Sequence, residues 1–133
     1  MKPARILTTV MVLWMAAAGA ARAQQAPAQP FEPVVGQRGK DVVWVPTPPE
    51  TVERMLDIAK VTPTDFVIDL GSGDGRNVIA AAKRGARALG VEFNPDMVAL
   101  SQRNAARAGA NAKFIQGDIF ASDFSDADVV TMY

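Results

Sequence analysis

The sequence predicts an α/β protein built on a doubly wound sheet of about four parallel strands. Three observations carry that prediction. The stretch "FVIDL", Phe66 to Leu70, is apolar on both faces, as strands buried between layers are. It runs directly into "GSGDG" and a helix-forming segment, so the chain leaves the strand for a helix rather than a hairpin. Further β-rich and helical runs then alternate in the order β-α-β-α-β-(loop or helix)-β. That order requires parallel strands joined by right-handed crossovers.

Each element has its own justification. "DVVWVPTPP", Asp41 to Pro49, is a short extended piece stopped by prolines. Thr47 or Pro48 can cap the helix that follows, with Pro49 tolerated in its first turn. In that helix Val52, Met55, Leu56 and Ala59 share one face. "VTPTD" closes it and leads to the strand Phe66 to Leu70. After the glycines, Asn77 to Arg84 reads as a helix stopped by Gly85. "RALGV" is a second strand ending at Glu92. Asn94 caps a helix with Pro95 at its first position, and Gly109 ends it. "KFIQ" makes a third strand and "DVVTMY" a fourth.

The start of the chain carries a different signal. "MKPARILTTVMVLWMAAAGAARAQQ" has a basic opening, an apolar run from Ile6 to Ala20 and the small-residue site "ARA". It reads as a signal peptide, residues 1–23, cleaved after Ala23 and exporting the protein to the periplasm or beyond. The lack of an Arg-Arg pair favours the general secretory route. The alternative is a membrane anchor, although the 16 residues between Arg5 and Arg22 fall short of the ~20 that span a bilayer. An anchor would leave the domain on the cytosolic side. Residues 24–41, rich in Gln, Pro and Ala, read as a flexible leader, and 42–133 as the folded domain.

Composition narrows the chemistry. Apolar content of 49% and charged content of 21% fit a globular domain. Formal charge is zero, and cleavage after Ala23 removes Lys2, Arg5 and Arg22, leaving eleven basic groups against fourteen acidic. There is no basic run, so no nucleic-acid partner is indicated. With no histidine and no cysteine, thiolate and imidazole catalysis are excluded within this chain, and no metal site is expected.

The glycines mark the site. Asp69 lies near the carboxyl end of the first strand, where ligands bind in open parallel sheets. Gly71 and Gly73 let the backbone turn and approach a ligand closely. The following helix points its free N–H groups into the same space. Glu92 ends the neighbouring strand, placed to accept hydrogen bonds from ribose hydroxyls. A dinucleotide fingerprint needs a third glycine at position 76, where this chain has Arg76, its third glycine being Gly75. An acid before such a loop repels pyrophosphate and attracts an amine. Trp44 reads as a packing residue, and Asp123, Asp126 and Asp128 as a solvated loop.

"VIDLGSGDG", the acid of "GVEFN" and the acid of "IQGDIF" resemble the S-adenosylmethionine-binding motifs of class I methyltransferases, over about Val42 to Tyr133. The resemblance implies a Rossmann-like fold with S-adenosyl-L-methionine as cofactor. Asp69, Gly71, Ser72 and Gly73 would hold the methionine moiety, Glu92 the ribose, and Asp118 and Ile119 the adenine edge, with Phe93 packed on the ring and Asp74 also counted among the cofactor-binding residues. "WVPTPPETVERML" followed by "GSGDGR" is similar to a narrower group that includes the lysine methyltransferase of the mitochondrial ATP synthase c ring protein. That likeness implies that Thr47 closes over the cofactor. The expected activity is methyl transfer to protein lysine or a small molecule, with no residue assigned as a catalytic base. The alternatives are a non-catalytic cofactor-binding module and an NAD(P)-binding oxidoreductase. A methyltransferase sheet of seven strands would need more than the four read here, so the domain is expected to be the N-terminal half of that fold, incomplete at its C-terminus, and inactive as this fragment alone.

Overall fold

The computed structural model describes residues 28–133. The proposed signal peptide and the first residues of the leader lie outside them. The described elements are α1 (Pro49–Ile58), β1 (Phe66–Leu70), α2 (Arg76–Lys83), β2 (Arg87–Glu92), α3 (Pro95–Ala108), β3 (Ala112–Gln116) and β4 (Val129–Thr131). Among the described residues, no helix is long and apolar enough to cross a membrane.

Local sequence explains most boundaries. Pro48 precedes α1, and Pro49 occupies its first turn, where a missing N–H costs nothing. Val52 and Leu56 are buried, but Ala59 is exposed at the helix end, so the apolar face is shorter than its sequence period. Asn94 caps α3 by accepting the Asp96 N–H at 2.9 Å, and Gly109 ends it in the left-handed conformation. The helix α2 starts one residue earlier than expected because Gly75, at φ +87°, makes the turn into it.

The four strands are parallel, in the order β3-β2-β1-β4. Successive crossovers carry the chain from β1 through β2 to β3. The segment after β3 then returns to lay β4 on the other side of β1, which makes β1 the switch point. β4 is shorter than "DVVTMY" because only Val129–Thr131 pair with β1. Asp128 is exposed in the bend before β4, as expected of a solvated loop, and it also accepts the Phe66 N–H at 2.7 Å, which ties the start of β4 to the start of β1.

The core lies between one face of the sheet and the three helices. Val67, Ala88 and Phe114 meet Val52 and Leu56 of α1, Val78 and Ala81 of α2, and Val98 and Ala105 of α3. Ile68, Leu70 and Val91 form a smaller cluster on the opposite face, against Ile119 and Ala127 of the connecting segment. Among the described residues no helix covers that face, and Ile115 and Val130 are half exposed there.

Residues 34–44 form a small hairpin. Arg38 and Val43 pair, the Gly36 N–H donates to the Trp44 carbonyl, and the Trp44 N–H donates to the Gln37 carbonyl. The expected boundary between leader and domain, at residues 41 and 42, falls inside this hairpin. Its sequence signal is weak because "VVGQRGKDVVW" has no alternating polar face.

Packing of α2 on the sheet leaves no clearance. A Cβ at Gly90 of β2 would lie 2.5 Å from Ser72 Oγ and 2.7 Å from the Phe114 ring; one at Gly75 would lie 2.7 Å from that ring. Gly90→Ala is therefore expected to destabilise the protein by about 1–3 kcal/mol, the usual range for overpacking a filled interior. Denaturant unfolding monitored by circular dichroism checks this, and an unchanged midpoint would show that the contact relaxes freely.

Candidate functional site

A cavity of about 570 Å³ opens at the carboxyl ends of β1 and β2, beside the switch point. Its floor is the glycine loop, its far side the segment after β3, and its near wall the hairpin. The loop is pinned to the neighbouring strand: the N–H groups of Gly71 and Ser72 both donate to the Val91 carbonyl, at 2.9 and 3.1 Å. Gly71 sits at φ +80° with open space where a Cβ would be, so its backbone faces the cavity unshielded.

Five carboxylates border the space, Asp41 on the hairpin and four others that are each held differently. Asp69 is buried at the end of β1, where its Oδ1 accepts Thr131 Oγ1 at 2.6 Å and Asn77 Nδ2 at 3.3 Å. Asp74 is gripped by Arg76 through both carboxylate oxygens, at 2.9 and 2.5 Å. The same guanidinium donates to the Thr47 carbonyl at 2.6 Å. Arg76 thereby straps the segment before α1 onto the glycine loop. Glu92 accepts the Gly73 N–H at 2.9 Å and the Asn94 N–H at 2.8 Å, which joins the loop to the start of α3. Asp118 accepts the Phe120 N–H at 3.0 Å and Lys40 Nζ at 2.7 Å.

Burial pushes the Asp69 carboxyl above the usual carboxylate range, and the charges of Glu92 and Asp74 push it the same way. The hydrogen bonds from Thr131 and Asn77 oppose that shift. Asp118 is held below the usual range by the Lys40 ammonium and the Phe120 N–H.

All ten residues singled out from sequence line this one cavity: Thr47, Asp69, Gly71, Ser72, Gly73, Asp74, Glu92, Phe93, Asp118 and Ile119. They present themselves unequally. Ser72 Oγ is buried without a hydrogen-bond partner among the described residues and is turned toward β2, leaving backbone to face the cavity. Thr47 is buried, and its carbonyl is already taken by Arg76. Phe93 is half exposed.

Sequence reasoning missed Lys40, Arg76, Asn77 and Thr131. Arg76 was readable as a cation two residues from Asp74. Asn77 and Thr131 reach Asp69 only through the tertiary fold, and nothing in the leader marks Lys40. Trp44 does pack as expected, against Gly73, where an added Cβ would come within 2.8 Å of its indole nitrogen.

Comparison with known proteins agrees with this geometry. Residues 69–133 match the ANTKMT methyltransferase domain. A protein-lysine N-methyltransferase of Saccharolobus islandicus is 45% identical over 96 residues, covering 69% of this chain and 60% of that protein. The human lysine N-methyltransferase of ATP synthase c is 38% identical over 95 residues, 68% of this chain and 41% of that protein. Among solved structures, an RNA methyltransferase from Salinibacter ruber in complex with S-adenosyl-L-homocysteine superposes with a TM-score of 0.65 at 53% identity, over 67% of this chain and 60% of that one. The chain thus spans 60% or less of the length of each of these three proteins.

The electrostatics of Asp69 give a signed expectation. Its raised value means that the folded protein holds this proton more tightly than the unfolded chain. The associated stability is full below the ordinary carboxylate range and is lost as pH rises through the raised value. Asp69→Asn keeps an acceptor for Thr131 and Asn77 while removing the buried charge. The ligand-free variant should melt above wild type at pH 7, by a margin that shrinks as pH falls toward 4. Differential scanning fluorimetry across that range tests it, and a variant that melts lower at pH 7 would contradict it.

Proposed function

We propose that the chain is a class I S-adenosylmethionine-dependent methyltransferase that binds S-adenosyl-L-methionine in the cavity and methylates a lysine side chain of a protein. The observation that carries the cofactor reading is the pairing of an unshielded glycine turn at Gly71 with a buried carboxylate at Asp69 and a second carboxylate, Glu92, on the adjoining strand end. The donor set fits. The volume lies within the range of small-molecule sites, and the negative charge suits a ligand carrying an amine and a sulfonium.

When bound, the cofactor supplies an electrophilic methyl group, which leaves sulfur as the acceptor nitrogen takes it and gives up a proton. The chain's own residues bind and align. Glu92 keeps lone pairs on both oxygens beyond the two backbone N–H groups and is the acceptor for the ribose hydroxyls. Asp69, raised by burial, gains a counter-charge from the ligand amine, so binding favours its ionised form. The Arg76 strap fixes Thr47 and with it the wall beside the glycine loop. Alignment of this kind is the main contribution a protein makes to such a displacement.

Support for lysine as acceptor comes from the Saccharolobus islandicus and human relatives, both described as lysine methyltransferases. The acidic lining also favours a cationic side chain over a phosphate backbone, although the Salinibacter ruber protein is described as an RNA methyltransferase. Incubation of the intact protein that carries this chain with labelled cofactor and either bacterial protein extract or RNA separates the two. Label recovered as methyl-lysine after hydrolysis is the expected result; label confined to RNA would overturn the acceptor.

Glu92→Ala tests the site. Each lost charge-assisted hydrogen bond costs about 1.5–3 kcal/mol, so S-adenosylhomocysteine affinity should fall more than about tenfold by calorimetry. Unchanged affinity would remove Glu92 from the site. S-adenosylhomocysteine should also raise the melting temperature, and NADH should not, since only a ligand that prefers the native state shifts melting. Stabilisation by NADH alone would favour the oxidoreductase reading.

A further inference from the structure

The tip of the hairpin puts a lysine into the cavity. The Gly39 N–H donates to the Val42 carbonyl at 2.9 Å, closing a tight turn with Lys40 at its apex. From there Lys40 Nζ reaches Asp118 Oδ2 at 2.7 Å and lies 5.3 Å from the Phe93 ring centre and 5.6 Å from that of Phe120. Two aromatic rings and a carboxylate around an ammonium form a cation cage. The base of the hairpin is fixed by Trp44, packed on Gly73, whereas its tip meets the segment after β3 through the Lys40–Asp118 pair.

The same three groups suit a flat heteroaromatic ring bearing an amino group, which stacks on an aromatic face and donates to a carboxylate. Asp118 Oδ1 accepts the Phe120 N–H, and the Lys40 ammonium sits against Oδ2 in the space beside the Phe93 and Phe120 rings. Ammonium and ring amine therefore compete for the same space beside one carboxylate. We propose that Lys40 is the resident occupant of the adenine subsite, so that the cofactor is admitted only as the lysine yields Asp118. This inference rests on the cofactor reading above. It makes Lys40 a determinant of cofactor affinity that works through competition rather than contact.

The conditions that release the latch follow from the pair. Asp118 lies below the usual carboxylate range and Lys40 above the usual lysine value, each because of the other, so both stay charged across neutral pH. Lys40 is flanked also by Asp41, at 3.6 Å, whose charge holds the ammonium in the same place. The pair is partly exposed, with each side chain about one-third accessible. Salt screens such a contact, whereas a change of pH near neutrality does not.

The test measures S-adenosylhomocysteine binding to the full chain by calorimetry, with adenosine as a second probe that carries the ring without the amino-acid tail. Both probes are neutral overall, which limits the direct effect of salt. Lys40→Met retains the apolar stem and removes the charge. It should bind both probes roughly two- to fivefold more tightly than wild type at low salt, the scale of an exposed ion pair. Wild-type affinity should rise with added salt, closing the gap by roughly 0.5 M. The second measurement needs no variant, so it holds even if Lys40→Met folds poorly. Tight binding that is indifferent to Lys40 and to salt, or weaker binding by Lys40→Met, would overturn the competition alone. Absence of S-adenosylhomocysteine binding in wild type would overturn the cofactor reading and this inference with it.

Discussion

Everything at the site depends on how closely the first turn of α2 sits on the sheet. Gly75 and Gly90 permit that approach, because a methyl group on either would collide with Phe114 and with Ser101 or Ser72. With the helix seated flat, its first turn meets the end of β1, Asn77 reaches Asp69, and the loop between them can bond to Val91 of β2. The cavity is the space left beyond that seat. The glycines thus act twice, one set exposing backbone to a ligand and the other setting the distance between two layers.

The carboxylates around the cavity show how a protein concentrates negative charge without unfolding. Glu92 and Asp118 are offset by backbone N–H groups, and Asp74 by a bidentate guanidinium whose geometry suits it. Among the described residues Asp69 has only neutral donors, a hydroxyl and an amide, and it is the most buried of the four. The carboxylate left there without a cation or a backbone N–H is thus also the one whose ionised form burial penalises. Sites that bind charged ligands commonly carry such unspent strain, because the ligand then supplies what the fold withholds.

The strands and helices were legible because each has a local cause: apolar runs for β1 and β2, Asn94 and Pro95 at the start of α3, Gly109 at its end. The cavity lining was legible for a related reason. Asp69, the glycine loop and Glu92 stand at strand ends, and parallel topology brings such ends together whatever the details of packing. What escaped was long-range or conformational. Thr131 and Asn77 converge on Asp69 from different elements. The direction of the Ser72 side chain was not legible either, because it depends in a loop on backbone torsions that composition does not reveal. Asp128 is the loop residue it looked like, and its bond to the Phe66 N–H, which joins β4 to β1, depends on the tertiary fold.

The hairpin makes the same point about a segment that looked featureless. Its valines, Val34, Val35, Val42 and Val43, are largely exposed, so burial of apolar surface is not what holds it. It is held instead by a few directional contacts: backbone bonds through Gly36 and Trp44, the indole against Gly73, and Lys40 at Asp118. A wall fastened by so few contacts is weakly stabilised and inexpensive to displace, whereas the floor is locked by close packing against Phe114. The division is useful in a binding site. The rigid side fixes where charge and hydrogen-bond acceptors lie, and the sparsely fastened side is where local opening costs least.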